Sequence, residues 1–465
     1  MTGPNAPPAD AVSKNIVLLI AMMSSFLTPF LSSSINIALP TIGESLSLDA
    51  ISMNWVATAY LLASATFLVP FGRLADIRGR KIIFQLGMVI NIVGSILCAV
   101  SPSGAWLISF RALQGLGGAM FFGTSTAILT SVYPANERGK ALGFSVASVY
   151  TGLSVGPLIG GLMTQHFGWQ SVFVLNAILG IIISALVFSR LKGEWVEAKG
   201  EKFDYIGSLL YCIGLVLLIY ALSVLPALWG FELIALALLG FAAFVRWELG
   251  QEFPVIRIEL FRDNSLFFFS NLAALINYSA TFAVSFLLSL YLQYIGGFTP
   301  EHAGLILITQ PVTMVICSLI AGNISDKVEP RVVSSIGMAL TSLGLAMLAF
   351  LDSNANLIWV FASQVVLGAG FGFFSSPNIN AAMSSVGRRF YGVASGTLGT
   401  MRLIGQALSL GLVLLLLSLY VGRVEITPEN HGLFVQTMKI AFSSFAVISF
   451  FGIFASAARG KTLER

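Results

Sequence analysis

Long apolar runs, separated by short polar segments that carry most of the basic residues, organise this chain. Each run is about as long as the 20 or so residues a helix needs to cross the hydrocarbon core of a bilayer. Lipid offers backbone groups no hydrogen bonds, so spanning segments are helices or closed barrels. The length and continuity of these runs predict helices. Fourteen are predicted, opening near Ile16, Met53, Ile82, Ala105, Gly139, Trp169, Asp204, Ala227, Ser265, His302, Val332, Ala355, Phe390 and Phe434. The two over residues 204–247 are divided only by Pro226.

Composition supports this reading. The 465 residues are 56% hydrophobic and 10% charged, against about 25% charged in a soluble domain. Too few charges are available to clothe a soluble surface of this size. Their placement then fixes a topology. With the N-terminus in the cytoplasm, the basic residues fall on the cytoplasmic side, apart from Arg423 and Lys439 outside and Arg111 and Arg402 within spans. Both termini are thus expected in the cytoplasm, in a plasma or inner membrane. The first apolar run is too long for a signal peptide and reads as a retained anchor. Cys98, Cys212 and Cys317 all lie in apolar runs, with no metal-site or disulfide spacing.

The chain also repeats itself. The run W-L-I-S-F-R-A-L-Q-G-L-G-G-A-M-F-F from Trp106 matches W-V-F-A-S-Q-V-V-L-G-A-G-F-G-F-F from Trp359, an offset of 253 residues. Gly139, Ala141 and Gly143 match Gly392, Ala394 and Gly396 at the same offset, and G-R-L-A-D at Gly72 matches G-N-I-S-D at Gly322. Two related six-helix bundles are expected, at 16–190 and 265–457, with two inserted helices at 204–247. Cytoplasmic loops at 191–203 and 248–264, a disordered N-terminus at 1–15 and a tail at 458–465 complete the division. Repeated halves are a common build of secondary transporters, with substrate bound near the midplane where the halves meet.

Three motifs add chemistry. Residues 72–81 read G-R-L-A-D-I-R-G-R-K, between spans two and three. This is a tight turn with an acid that can pair with the neighbouring bases or cap a helix; the expected gating residues are Gly72, Asp76, Arg78, Gly79, Arg80 and Lys81, with Gly322 and Asp326 in the second half. Residues 143–161 place Gly143, Gly152, Gly156, Gly160 and Gly161 in span five, where small residues admit a neighbouring helix, and Pro157, which bends its own helix. Residues 111–118 read R-A-L-Q-G-L-G-G, with Arg111 roughly 10 Å into the membrane at 1.5 Å per residue. It either snorkels to the outer surface or serves a function at depth.

Together these motifs resemble the major facilitator superfamily. The first matches its loop signature, the second its antiporter signature, and the third its span-four basic motif. With fourteen spans, and Phe203-Asp204 opening span seven, the chain is similar to the fourteen-span drug:proton antiporter family. The resemblance implies an all-α membrane protein with the major facilitator fold and no enzymatic activity. It implies alternating access driven by a proton gradient, with the Gly72 loop and Asp76 as inner gate, the span-five glycines as hinge, and Arg111 with Gln114 in proton coupling. The expected partners are a small-molecule substrate, protons and the bilayer, without nucleic acid, metal or other cofactor, and the chain is expected to be monomeric. The three histidines fall in outer segments and no catalytic or nucleotide-binding motif occurs, which argues against an enzyme or primary pump.

One departure from that family bears on cargo. Members commonly carry an acid in span one, where this chain has Ser32. The deep charge is instead Arg402, roughly 18 Å along span thirteen. It shares a face with Ser395, Gly399, Gln406 and Ser409. Span one offers Ser24, Thr28, Ser32 and Asn36 at the same spacing, span nine offers Asn277, Thr281, Ser285 and Ser289, and Gln310 and Asn378 sit beside prolines. The expectation is a cavity with a positive centre, lined by Thr28, Ser32, Asn36, Asn277, Thr281, Gln310, Asn378, Arg402 and Gln406. Such a cavity suits anionic or zwitterionic amphiphiles better than lipophilic cations. Multidrug export is the leading function; a metabolite, nutrient or lipid carrier is the alternative.

Overall fold

The computed structural model describes residues 13–459, except 226, 257, 326–327, 353–355, 387–390 and 423–425. Asp326, the residues before 13 and the last residues of the tail therefore lie outside the described residues. Among those described, fourteen helices are long and apolar enough to cross a membrane and no strand occurs. The first six are α1 (Lys14–Leu46), α2 (Ala50–Arg78), α3 (Arg80–Ala99), α4 (Gly104–Val132), α5 (Ala135–Phe167) and α6 (Gln170–Arg190). An inserted pair follows, α7 (Tyr205–Val224) and α8 (Leu228–Glu248). Then come α9, built from Ser265–Thr281, Ala283–Leu290 and the π turn Tyr291–Ile295, and α10, built from Pro300–Leu307 and Thr309–Ser325. The last four are α11 (Pro330–Leu348), α12 (Leu357–Ser384), α13 (Tyr391–Tyr420) and α14 (His431–Ala457). Each helix opens within four residues of the position the hydropathy pattern predicts.

Lipid-facing and inward-facing stripes separate cleanly. On α3, Ile82, Leu86, Val89, Val93 and Ile96 are exposed at helical spacing, while Ile83, Phe84, Gly87, Met88 and Asn91 are buried on the opposite face. An exposed stripe of branched apolar residues is stable only against hydrocarbon.

The repeat is visible in the packing. A Cβ on Gly87 would lie 2.8 Å from the Gly117 carbonyl, and one on Gly337 would lie 2.7 Å from the Gly370 carbonyl. The α3–α4 contact thus recurs as α11–α12, closed by glycines in both halves. Arg111 Nε donates to the Val56 carbonyl at 3.0 Å, and its counterpart Gln364 donates to the Ile306 carbonyl at 3.3 Å. Different side chains satisfy the same requirement at equivalent sites.

The inserted pair lies along the seam where α2 meets α13, with α7 touching both and α8 packed on α7. Pro70 has no N–H, so the Thr66 carbonyl four residues earlier lacks its helical donor. Cys212 Sγ of α7 lies 3.4 Å from that carbonyl, and Tyr211 Oη donates to the adjacent Ala65 carbonyl at 3.0 Å. At the other end Ser418 Oγ of α13 donates to the Leu225 carbonyl at 3.1 Å.

The 72–81 segment departs from the expected tight loop. Helix α2 runs on through Arg78, so Gly72, Asp76 and Arg78 sit on its last turns, and Gly79 alone separates it from α3. Gly79 has φ +122°, a conformation reserved in practice for glycine. Asp76 pairs with Arg80 but does not cap α3. That role falls to Glu194 of the linker after α6, which accepts from the Lys81 and Ile82 N–H groups at 2.7 and 3.2 Å.

Candidate transport cavity

The cavity lies between the two six-helix groups and has two lobes that share Ser32, Leu153, Tyr278, Phe282, Phe371 and Gln406. The lobes enclose about 620 and 680 Å³ of space between the side chains, part of it continuous with open solvent. Thr28, Ser32 and Asn36 of α1 reach the wall together because they are spaced by four residues on one helix face. Thr281 and Ser285 of α9, Gln310 of α10, and Arg402 and Gln406 of α13 line it from the other half.

Two sequence candidates lie elsewhere. Asn277 is fully buried, with Nδ2 3.1 Å from Met338 Sδ, and Asn378 donates to the Ser270 carbonyl at 3.2 Å. Both are polar contacts inside the second half and line neither lobe. Helical spacing identified a polar stripe, but α9 does not continue it as one regular helix. At Phe282 the ladder is interrupted, and the Ala283 N–H is satisfied by Ser409 Oγ of α13 at 3.0 Å. The side chain of Ser395 lies outside the described residues.

Much of the wall is aromatic, which the polar stripes did not reveal. Tyr60, Phe122, Tyr150, Tyr278, Phe282 and Phe371 all face the cavity. The Arg402 guanidinium carbon sits 4.8 Å from the Phe122 ring centroid, a cation–π contact between the two halves. Tyr150 Oη of α5 and Ser375 Oγ of α12 share a further cross-half hydrogen bond. Among the described residues lining either lobe, Arg402 is the one charged residue and none is a carboxylate. A tyrosine in mid-span was the available signal, since its hydroxyl needs a partner wherever it is buried.

Arg111 lies behind this wall. It does not snorkel: the residue is 1% exposed, with Nη1 on Gln114 Oε1 and the guanidinium carbon 4.4 Å from the Tyr60 ring centroid. Gln114 passes the chain on to Ser95, which also accepts from Asn176 at 2.8 Å. The arrangement fixes the Tyr60 ring from behind while Tyr60 presents its other side to the cavity.

The span-five glycines divide their work. A Cβ on Gly152, Gly156 or Gly160 would come within 2.6 Å of α1 atoms, so these three seat α5 on α1. A Cβ on Gly161 would lie 2.6 Å from the Pro300 carbonyl and one on Gly304 2.2 Å from the Pro157 carbonyl, so this end of α5 packs across the halves on α10. His166 and Glu301 pair nearby at 3.3 Å. At the opposite end, which bears the basic segments, a Cβ on Gly72, Gly143, Gly396 or Gly399 would meet nothing within 4 Å. Among the described residues, α5 and α10 therefore pack closely at one end, while these four glycines face open space at the other.

The sequence profile of the Major Facilitator Superfamily matches residues 21–261 and 270–461. The chain belongs to the Major Facilitator Superfamily. It is thus an integral, multi-pass membrane transporter for small molecules. Among its relatives, the riboflavin transporter RibZ of Clostridioides difficile is 33% identical over 85% of this chain and 86% of its own length. The multidrug resistance protein Stp of Mycobacterium tuberculosis is 29% identical over 84% of this chain and 74% of its own. A solved structure of a bacterial homolog to the human lysosomal transporter Spinster, in an inward-facing and occupied conformation, has the same fold: TM-score 0.69 at 16% identity, with 97% of each chain covered.

The superfamily fold accommodates two features that the motifs did not announce. The acidic linker is one. Besides Glu194, Glu197 accepts from Arg80 at 2.7 Å and Glu201 pairs with Arg73, so three glutamates hold the 72–81 segment within the first half. The other is a pair of acids in the inserted helices. Asp204 caps α7 and accepts from Trp247 Nε1, while Glu248, 2% exposed, places Oε1 against it across Gly207.

Proposed function

We propose that this transporter exports amphiphilic aromatic molecules, neutral or anionic, by alternating access across a cytoplasmic membrane. The observation that carries the reading is Arg402 set on an aromatic ring in a cavity with no carboxylate among its described lining residues. A cationic drug entering this space would meet a like charge in a medium of low dielectric, where repulsion is strong. A flat aromatic acid would gain an ion pair and ring stacking at one point. The basic end is placed in the cytoplasm by the positive-inside rule, so the arrangement in hand opens inward. Gly161 and Gly304 let the outer ends meet, while the 72–81 segment with Gly322 gates the inner side. The reading takes one chain as the working unit.

Proton exchange is proposed as the driving force on the strength of the span-five signature. An arginine stays protonated at any working pH, so Arg111 and Gln114 serve by holding Tyr60 in place and not by carrying the proton.

The test is transport in vesicles, with fluorescein-like anions compared with ethidium-like cations, with and without a protonophore. Anion movement is expected to exceed cation movement and to stop when the gradient collapses. Arg402→Gln is expected to reduce anion transport by ~tenfold or more, matching the roughly 1.5–3 kcal/mol of a charged hydrogen bond, and Arg402→Lys to restore part of it. Ethidium moved as well as fluorescein, with Arg402→Gln inert, sinks the cargo assignment. One relative's name, riboflavin transporter, favours a second reading as a metabolite carrier. The six aromatic residues of the wall suit a fused-ring vitamin as well as a drug.

A further inference from the structure

The outer end is closed by more than close packing. Pro40 lies inside α1 and has no N–H, so the Asn36 carbonyl four residues earlier has no helical donor. A buried carbonyl left in that condition is costly until another group donates to it. Here the donor comes from the other half: Ser289 Oγ of α9 at 2.6 Å. Gln293 Nε2 donates to the next carbonyl, Ile37, at 3.0 Å, and to Ser289 Oγ at 3.0 Å. Tyr294 Oη reaches the Pro40 carbonyl at 3.5 Å.

The backbone of α9 is specialised where these donors sit. Residues Tyr291–Ile295 form a π turn, in which the Gly296 N–H donates to the Tyr291 carbonyl at 3.0 Å; just beyond it the Phe298 N–H donates to the Leu292 carbonyl at 3.0 Å. A π turn spaces successive side chains differently from an α turn, and this one brings Gln293 and Tyr294 to bear on α1 beside Ser289. On α1 the Tyr294 hydroxyl would lie 3.3 Å from a Cβ at Gly43, so the absence of a side chain there admits it. A helix with a freed carbonyl thus faces a helix with an irregular turn, and each supplies what the other lacks.

We infer that Ser289, Gln293 and Tyr294 are the outer latch of the transport cycle, which engages the Asn36 carbonyl that Pro40 frees together with the neighbouring Ile37 and Pro40 carbonyls, and is sensed by cargo through Asn36 and Ser285. The Asn36 side chain lines the cavity while its carbonyl is the latch acceptor. Ser285, one turn before Ser289, lines the same lobe. Cargo that engages either residue acts on the helix that holds the latch. Every donor is uncharged, so the latch is indifferent to ionic strength. The inference rests on the alternating-access reading above, but its test needs no cargo.

The experiment places one cysteine in the cavity, Ser32→Cys, in a chain with Cys98, Cys212 and Cys317 replaced by alanine. A membrane-impermeant maleimide is then applied from the face opposite the basic end. Labelling is expected to be slow with the latch intact and ~tenfold faster in Ser289→Ala with Gln293→Leu, which removes two donors. Pro40→Ala restores an N–H that can satisfy Asn36 within α1. It is expected to speed labelling in the same direction while leaving the helix better formed. Unchanged labelling in both variants overturns the latch. A chain that moves none of the test dyes yet shows faster labelling keeps the latch and discards the cargo assignment.

Discussion

The two ends of the cleft are held by different kinds of interaction. At the end away from the basic segments the halves meet through serine, glutamine and tyrosine donating to carbonyls of α1 and through glycines that let α5 and α10 touch, with the His166–Glu301 contact beside them. At the basic end Arg73 and Arg80 pair with Glu201, Asp76 and Glu197, and Glu194 accepts from the Lys81 and Ile82 N–H groups, all within the first half and its linker. Closure by backbone groups demands close approach and tolerates no added side chain. Ion pairs reach further and survive rearrangement, because long side chains can exchange partners. The difference suits a molecule that must seal one end without water while leaving the other free to move.

The comparison breaks most sharply at Gly304. Gly304→Ala puts a methyl group 2.2 Å from the Pro157 carbonyl, a strain of about 1–3 kcal/mol against the closed outer end. Transport is expected to fall by roughly tenfold, measured as initial rate per folded protein in vesicles. Normal rates would mean that α5 and α10 need not meet. The next largest effect is expected at the basic end from Gly79→Ala. That backbone has φ +122°, and the new methyl would lie 2.6 Å from Glu194 Cδ. A loss of about 1–3 kcal/mol is expected, read as a lower thermal midpoint in detergent. The smallest is Glu197→Gln. Its side chain is 61% exposed and Arg80 keeps Asp76, so the change is expected to cost less than about 1 kcal/mol. Amide exchange in residues 191–204 should then quicken slightly and should be sensitive to salt, while exchange around Tyr291–Ile295 should not change.

The repeat shows what a sequence can disclose about such a molecule. The G-x-G spacing in spans four and twelve marks a helix that another helix approaches, and both Gly117 and Gly370 are so approached. Arg111 and Gln364 stand at matching positions with no chemical likeness, yet both donate to a carbonyl of the neighbouring helix. The linker glutamates were visible in the sequence as acids beside a basic segment, but their register on Arg73, Arg80 and α3 depends on how residues 191–204 lie across the helix ends. Glu248 at its span's edge reads in the sequence as a solvated end, and only the fold buries it.

Apolar run length and the internal repeat were enough to determine fourteen helices in two related halves, because lipid leaves the backbone no other way to satisfy itself. Helical spacing set Thr28, Ser32 and Asn36 on one face of α1, and they line the cavity opposite Thr281, Gln310, Arg402 and Gln406 of the other half. Only the tertiary structure decided that Asn277 and Asn378 turn away, that aromatic rings frame Arg402, and that the carbonyls freed by Pro40 and Pro70 find donors on α9 and α7. Helical periodicity fixes the face on which a residue lies. Which neighbour meets that face is settled by contacts between segments hundreds of residues apart, and a local pattern carries no record of them.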